Sequence, residues 1–127
     1  LDITPDEIDF KDIVTNKTLS DLVADNTELF PGEKLLRRYG EIEKGSSDMG
    51  DVSYKAPAVH LYFGICPPGS PDVPGHTREF AAYAATDYAV KSALRFVKGF
   101  AKTAVDLMTS PDLVASIRQE YEQKFKE

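Results

Sequence analysis

The sequence predicts an α/β protein that is mostly helical, with one central strand near residues 57–66. An apolar run from Ala58 to Ile65, rich in β-branched and aromatic residues, ends at Pro67-Pro68 and is typical of a strand buried on both faces. Apolar residues also recur at helical spacing from Val90 to Met108. With 127 residues, 42% of them hydrophobic, the chain suits a single compact unit over residues 1–127.

Two short helices are predicted before the strand. Thr4 is a capping hydroxyl with Pro5 at the first helical position, which indicates a helix over about residues 5–14. Thr18 repeats the capping pattern and predicts a second helix that ends before Pro31-Gly32. Residues 33–54 are charged and then rich in Gly and Ser, so we expect a loop there, with a short strand near 38–42.

Two helices are predicted after the strand. The first carries an apolar face over about five turns, opposite a basic row that we interpret as solvated: Lys91, Arg95, Lys98 and Lys102. Ser110 is the expected cap of the last helix, with Pro111 at its first position. The apolar stripe of that helix consists of Leu113, Val114, Ile117, Tyr121 and Phe125.

Charge and composition exclude several functional classes. The formal charge of −6 argues against nucleic acid or an anionic membrane surface as the main partner. No apolar stretch approaches the roughly 20 residues of a transmembrane helix. A single cysteine, Cys66, fits a reducing cytoplasm and, without a basic neighbour, is expected to be an inert thiol. The start at Leu1, with neither an initiator Met nor a signal peptide, leads us to expect a piece of a longer protein.

Two loops that flank the predicted strand combine reactive side chains with backbone freedom. The first reads Gly-Ser-Ser-Asp-Met-Gly-Asp-Val-Ser over residues 45–53, and the second is the Pro-rich segment 67–75 followed by His76. Ligand sites gather at strand ends in open α/β sheets. Phosphate-binding glycine loops and the His-Glu-x-x-His helix are absent from the sequence, so it does not favour a nucleotide-binding protein or a single-helix zinc protease.

The candidate residues each allow more than one role. His76 could present a neutral imidazole to a metal ion, or it could be a surface turn residue beside a helix start. Asp48 and Asp51 could be carboxylate ligands, could accept a hydrogen bond from a histidine that binds the metal, or could form turns. His60 alternates into the apolar run, where a core or sheet-face histidine is more common than a ligand.

Three motifs resemble the aminoacylase and carboxypeptidase superfamily of metal-dependent amidohydrolases, above all its aminobenzoyl-glutamate utilisation branch. They are Gly-Ser-Ser-Asp-Met-Gly-Asp-Val-Ser (45–53), Ala-Pro-Ala-Val (56–59) and Pro-Gly-His-Thr-Arg-Glu-Phe (74–80). The similarity extends more loosely over nearly the whole chain. Ser47 departs from the pattern, because many relatives have Thr at this position.

The resemblance implies the carboxy-terminal fragment of a three-layer α/β zinc-peptidase catalytic domain. The lid domain and the amino-terminal part of the catalytic domain would lie outside this chain. The amino-terminal part would hold the other metal ligands and the catalytic glutamate. His76 would be a metal ligand, and the cofactor would be zinc in a two-metal site. The reaction would be hydrolysis of an amide bond between an acyl or aroyl group and an amino acid. The resemblance further implies a cytoplasmic homodimer and assigns substrate binding to Ser46, Ser47, Asp48, Gly50 and Asp51.

A catalytic site needs about three protein ligands for zinc, so the fragment alone is expected to be inactive. Two other hypotheses remain. The chain could be a non-catalytic α/β interaction module in which His76 is incidental. It could also be a small metal-binding protein that builds its site between two subunits, from His76 with Asp48 or Asp51.

Overall fold

The computed structural model describes residues 10–39, 47–71 and 73–126, and this part of the chain is helical without strands. Its helices are α1 (Lys17–Glu28), α2 (Met49–Ser53), α3 (Arg78–Ala84), α4 (Asp87–Thr109) and α5 (Pro111–Gln123). The mostly helical character predicted from the sequence is confirmed. Within these ranges no helix has the length and apolar character needed to pass through a bilayer.

The helix predicted from Thr18 forms, but it begins earlier. Asn16 is the N-cap, and its side-chain oxygen accepts the backbone N–H of Leu19 at 2.9 Å. The N–H groups of Lys17 and Thr18, the first two residues of the helix, donate to the carboxylate of Glu120 in α5 at 2.6 and 2.8 Å. A residue about a hundred positions away therefore completes this helix start, which local sequence patterns could not indicate.

Helices α1 and α4 pack in opposite directions along most of α1. The side-chain amide of Asn26 donates to Thr103 Oγ1 at 3.1 Å and to Asp106 Oδ2 at 2.8 Å. Further towards the end of α1, Thr27 lies against Gly99. Beyond α1, Arg95 Nε donates to the carbonyl of Phe30 at 3.0 Å. The packing of α1 against α4 is therefore the main contact between helices in the described residues.

Helix α5 closes the small core. Ile117 packs with Leu19 and Val23, and its carbonyl accepts a 2.9 Å hydrogen bond from the buried side-chain amide of Asn16. Pro111 occupies the first turn as predicted. Ser110 stands at the N-cap position, but its side chain makes no capping hydrogen bond.

The predicted strand near 57–66 is not formed in the part of the chain that the structure describes. Burial nevertheless alternates there: Val59 and Leu61 pack against the core, whereas His60 and Tyr62 are exposed. Such alternation fits a strand with one covered face. A strand is stabilised by the hydrogen bonds of a neighbouring strand, and the described residues supply no second strand.

Two other predicted elements lie only partly within the described residues. The predicted helix over 5–14 lies mostly outside the described residues, and residues 10–14 are not helical. A short strand was expected near residues 38–42. Residues 38–39 are not in a strand, and residues 40–42 lie outside the described residues. Helix α2 was not predicted, because residues 49–53 contain Gly50, Asp51 and Ser53, which have low helix propensity.

The segment 33–39 is attached to α1 by charges. Arg37 contacts carboxylates on successive turns of α1, Asp21 at 3.0 Å and Asp25 at 2.5 Å, and the Asp25 hydrogen bond raises the pKa of the guanidinium. Hydrogen bonds from Lys17, Tyr39 and Arg37 lower the pKa of Asp21 to about 2. Burial and the contact with Asp21 raise the pKa of the Tyr39 phenol to about 12.

Candidate metal and substrate site

His76 ends the Pro-rich loop immediately before α3, as the sequence predicted. Its side chain is exposed and its backbone has φ 64°, in the left-handed region that few residues other than glycine adopt. The next residue, Thr77, fixes this turn: its hydroxyl donates to the carbonyl of Pro74 at 2.9 Å and accepts the N–H of Phe80 at 3.1 Å. The turn thus presents the imidazole at the surface.

A cleft of about 440 Å³ adjoins this turn. It lies between the loop that follows residue 63 and the start of α3, and its walls include Phe63, Cys66, Val73 and Phe80. Cys66 is a free, half-buried thiol. Polar and apolar atoms contribute about equally to its walls, so the cleft offers both hydrogen-bonding groups and apolar surface.

The predicted substrate-binding segment lies partly within the described residues. Ser46 is outside them. Ser47 accepts the N–H of Met49 at 3.2 Å, and Asp48 is exposed and makes no side-chain capping bond to α2. Asp51 is half-buried in the first turn of α2.

Gly50 has a packing role in this segment. A Cβ atom built on it would lie 1.8 Å from the carbonyl oxygen of Lys11, so only glycine permits this approach of two backbones. Nearby, Ser53 donates to the carbonyl of Gly50 at 2.6 Å and accepts the N–H of Val14 at 2.9 Å. The carboxylate of Asp12 accepts a 2.8 Å hydrogen bond from Tyr54, which raises the pKa of the phenol. Helix α2 is therefore held against residues 11–14.

The structure does not bring the two predicted parts of the site together. Helix α2 packs near the start of α1, through Ser53 and Val14. The cleft at the start of α3 is lined by Phe63, which stacks on Phe96 of α4 at 5.0 Å between ring centroids. That half of α4 faces the end of α1 rather than its start, because Arg95 bonds to Phe30.

The described residues do not fit a zinc ion by themselves. Nowhere in these ranges do three His, Cys, Asp or Glu side chains converge as metal ligands. A catalytic zinc site needs about three protein ligands. The one other histidine, His60, is exposed and lies 4.9 Å from Tyr62 between ring centroids. Zinc at His76 would therefore need ligands from outside the described residues.

Sequence reasoning missed the carboxylates that the structure concentrates on α1. Asp21, Asp25 and Glu28 follow one another at helical spacing, which could have marked them as one face. All three contact Arg37. Asp21 also pairs with Lys17, so these carboxylates are held in ion pairs within the chain, which indicates a structural role for this cluster.

Comparison with known proteins supports a relationship to peptidases. The chain is 30% identical over 133 aligned positions to the Xaa-Arg dipeptidase of Mus musculus, a match that covers all of this chain and 29% of that protein. It is 36% identical over 83 residues to the Xaa-Arg dipeptidase of Homo sapiens, which covers 65% of this chain and 18% of that protein.

The chain spans less than a third of the length of these curated relatives. No protein-family model matches it. No solved structure matches it either. The chain is therefore similar, over its whole length, to one portion of a dipeptidase.

Proposed function

We propose that this chain is part of a metal-dependent amidohydrolase that cleaves the amide bond between an acyl or aroyl group and an amino acid. The observation that carries the proposal is the match of the whole chain to a portion of a dipeptidase. Dipeptide cleavage is hydrolysis of an amide on an amino acid, the same reaction that the motifs at 45–53 and 74–80 imply.

In this proposal His76 supplies one zinc ligand. Its position supports the role, because a positive φ is uncommon for residues other than glycine, and strained conformations cluster at functional sites. Thr77 and Pro74 hold the turn so that the imidazole remains outward. The other ligands come from outside the described residues, so the 127-residue chain alone is inactive.

Substrate contacts are assigned to the segment that contains Ser46, Ser47, Asp48, Gly50 and Asp51. Asp48 is the member best placed for a direct contact, since it is exposed and its carboxylate does not cap α2. Gly50 contributes by holding the segment against Lys11, rather than through a side chain.

Two substrates are consistent with this chemistry and differ in charge. The motif resemblance favours aminobenzoyl-glutamate, whose amino-acid side chain is anionic. The names of the relatives favour dipeptides that end in arginine, whose side chain is cationic. An exposed Asp48 favours the cationic side chain, because opposite charges attract.

The full-length enzyme is proposed to be a cytoplasmic homodimer with an α/β catalytic domain. The alternating burial of Val59, His60, Leu61 and Tyr62 supports a strand at 57–66 once a second strand lies beside it.

The proposal is tested by zinc calorimetry on the full-length protein and on two histidine variants. His76→Ala should abolish binding of one zinc and the hydrolysis of both substrates. His60→Ala is the matched control, because His60 is also exposed but lies in the core-packing run, and it should leave zinc binding unchanged. Zinc affinity and activity that survive His76→Ala would refute the assignment.

A further inference from the structure

Helix α4 exposes a long apolar face, here called the outer face of α4. It comprises Val90, Leu94, Val97, Ala101, Val105 and Met108, all exposed. Their spacing of three or four residues places them in one stripe, about 27 Å long for the 18 steps of 1.5 Å from Val90 to Met108. The face that packs on α1 is a different one, marked by Phe96, Gly99 and Thr103.

The exposure of this stripe is large, because Val97 is 59% exposed and Met108 is 85% exposed. Burial of a side chain such as Val or Met is worth roughly 1.5–3 kcal/mol. An exposed apolar stripe of this length marks a surface that another surface covers.

Charge decides between the possible occupants. Lys91, Lys98 and Lys102 follow one border of the outer face, whereas Ala93 and Phe100 follow the other. In an antiparallel pair of α4 helices the two lysine borders would meet and repel each other. An anionic membrane would attract these lysines locally, but the formal charge of −6 on the whole chain opposes its approach. The lysine border instead fits a protein surface edged by carboxylates.

We propose that the outer face of α4 docks on the remainder of a longer polypeptide. The surface that receives it is apolar and has carboxylates along the border that faces the lysines. The inference rests on the proposed function, and the occupant corresponds to the stretch of the dipeptidases that this chain does not span. The chain covers 29% of the mouse relative, so most of a dipeptidase is available to cover it. Residues 59–62, covered on one side only, are a second surface that the same remainder would complete.

The test compares the isolated chain with a chimera, the mouse Xaa-Arg dipeptidase in which this chain replaces the matched portion. Hydroxyl-radical footprinting followed by mass spectrometry reports the oxidation of Met108. We expect oxidation in the isolated chain at the rate of an exposed methionine, and several-fold slower oxidation in the chimera.

Two charge variants provide a matched comparison. Val97→Glu should leave the melting temperature of the isolated chain unchanged, because the side chain is already in water, and should prevent folding of the chimera. Leu36→Glu, at an apolar residue that is 80% exposed and lies outside the outer face of α4, should be tolerated in both proteins.

Several results would overturn the proposal. They are equal oxidation of Met108 in both proteins, tolerance of Val97→Glu by the chimera, or a chimera that does not fold. Protection of Met108 in the isolated chain that grows with protein concentration would assign the face to a second copy. Protection by vesicles of anionic phospholipid would assign it to a membrane. Zinc binding and dipeptide hydrolysis by the chimera report separately on the proposed function.

Discussion

Thr27 of α1 occupies the space in which a side chain on Gly99 of α4 would lie. A Cβ atom on Gly99 would be 2.0 Å from Thr27 Oγ1 and 2.8 Å from Thr27 Cα. The hydroxyl of Thr27 is itself bonded to the carbonyl of Val23 at 2.7 Å, and Thr27 is fully buried. The close approach of α1 and α4 therefore depends on a glycine in the middle of a long helix.

Gly99→Ala should destabilise the protein. Alanine is the better helix former by about 1 kcal/mol, but the added methyl group collides with the backbone of α1, and overpacking typically costs about 1–3 kcal/mol. Urea denaturation followed by circular dichroism would measure the loss. Gly64→Ala is the control, because a Cβ atom there meets no atom within 4 Å. Greater stability of Gly99→Ala would show that the helices separate at little cost.

Asn16→Ala should be more harmful than the loss of a single helix cap. The side chain of Asn16 caps α1 and also donates to the carbonyl of Ile117, and the residue is buried. The cap is worth about 1 kcal/mol, and a buried carbonyl left without its donor costs about 1–3 kcal/mol more.

Asn16→Asp separates these two contributions. It keeps the capping oxygen but removes the donor to Ile117, so its stability at neutral pH should be well below that of the parent protein. Equal stability of Asn16→Asp and the parent, measured by urea denaturation, would show that the bond to Ile117 contributes nothing.

Stability should fall in acid through Asp21. Its pKa is lowered from the ordinary 3.8 to about 2 in the folded chain, chiefly by Lys17, so the ionised form is favoured in the folded state. The resulting stabilisation is present above pH 3.8 and is lost as the pH falls from there towards 2. Asp21→Asn should show a smaller decrease in the urea midpoint between pH 6 and pH 2. An unchanged pH profile would contradict the role of this carboxylate.

His76→Gly should stabilise the chain while removing the proposed ligand. A residue with a side chain pays roughly 1 kcal/mol for the left-handed conformation, and glycine does not. His76→Asn is the control, since asparagine also tolerates this conformation and cannot replace the imidazole. The melting temperature of the glycine variant should be higher than that of the parent protein, and that of the asparagine variant should be close to the parent's. A less stable glycine variant would mean that the imidazole makes contacts that stabilise the fold.

Local patterns predicted the helices that carry strong signals. The long helix, the helix that begins with Pro111 and the helix that ends before Pro31 were correctly expected, because apolar spacing and a first-turn proline act over a few residues. The helix predicted from Thr18 begins at Lys17 instead, because Asn16 and the distant Glu120 satisfy its first N–H groups. Position 76 was expected to precede a helix, and α3 begins two residues later.

The sequence by itself determined the three helices with strong local signals, α1, α4 and α5, and which residues have the chemistry of ligands. It could not determine which apolar face would be covered. The spacing of apolar residues around Val97 is the same whether that face packs on another surface or is exposed to water. Only the tertiary structure decided that Gly99 faces Thr27, that Gly50 faces Lys11, and that His76 and α2 lie apart. These relationships join residues far apart in the chain, and their energies depend on distances that no local pattern encodes.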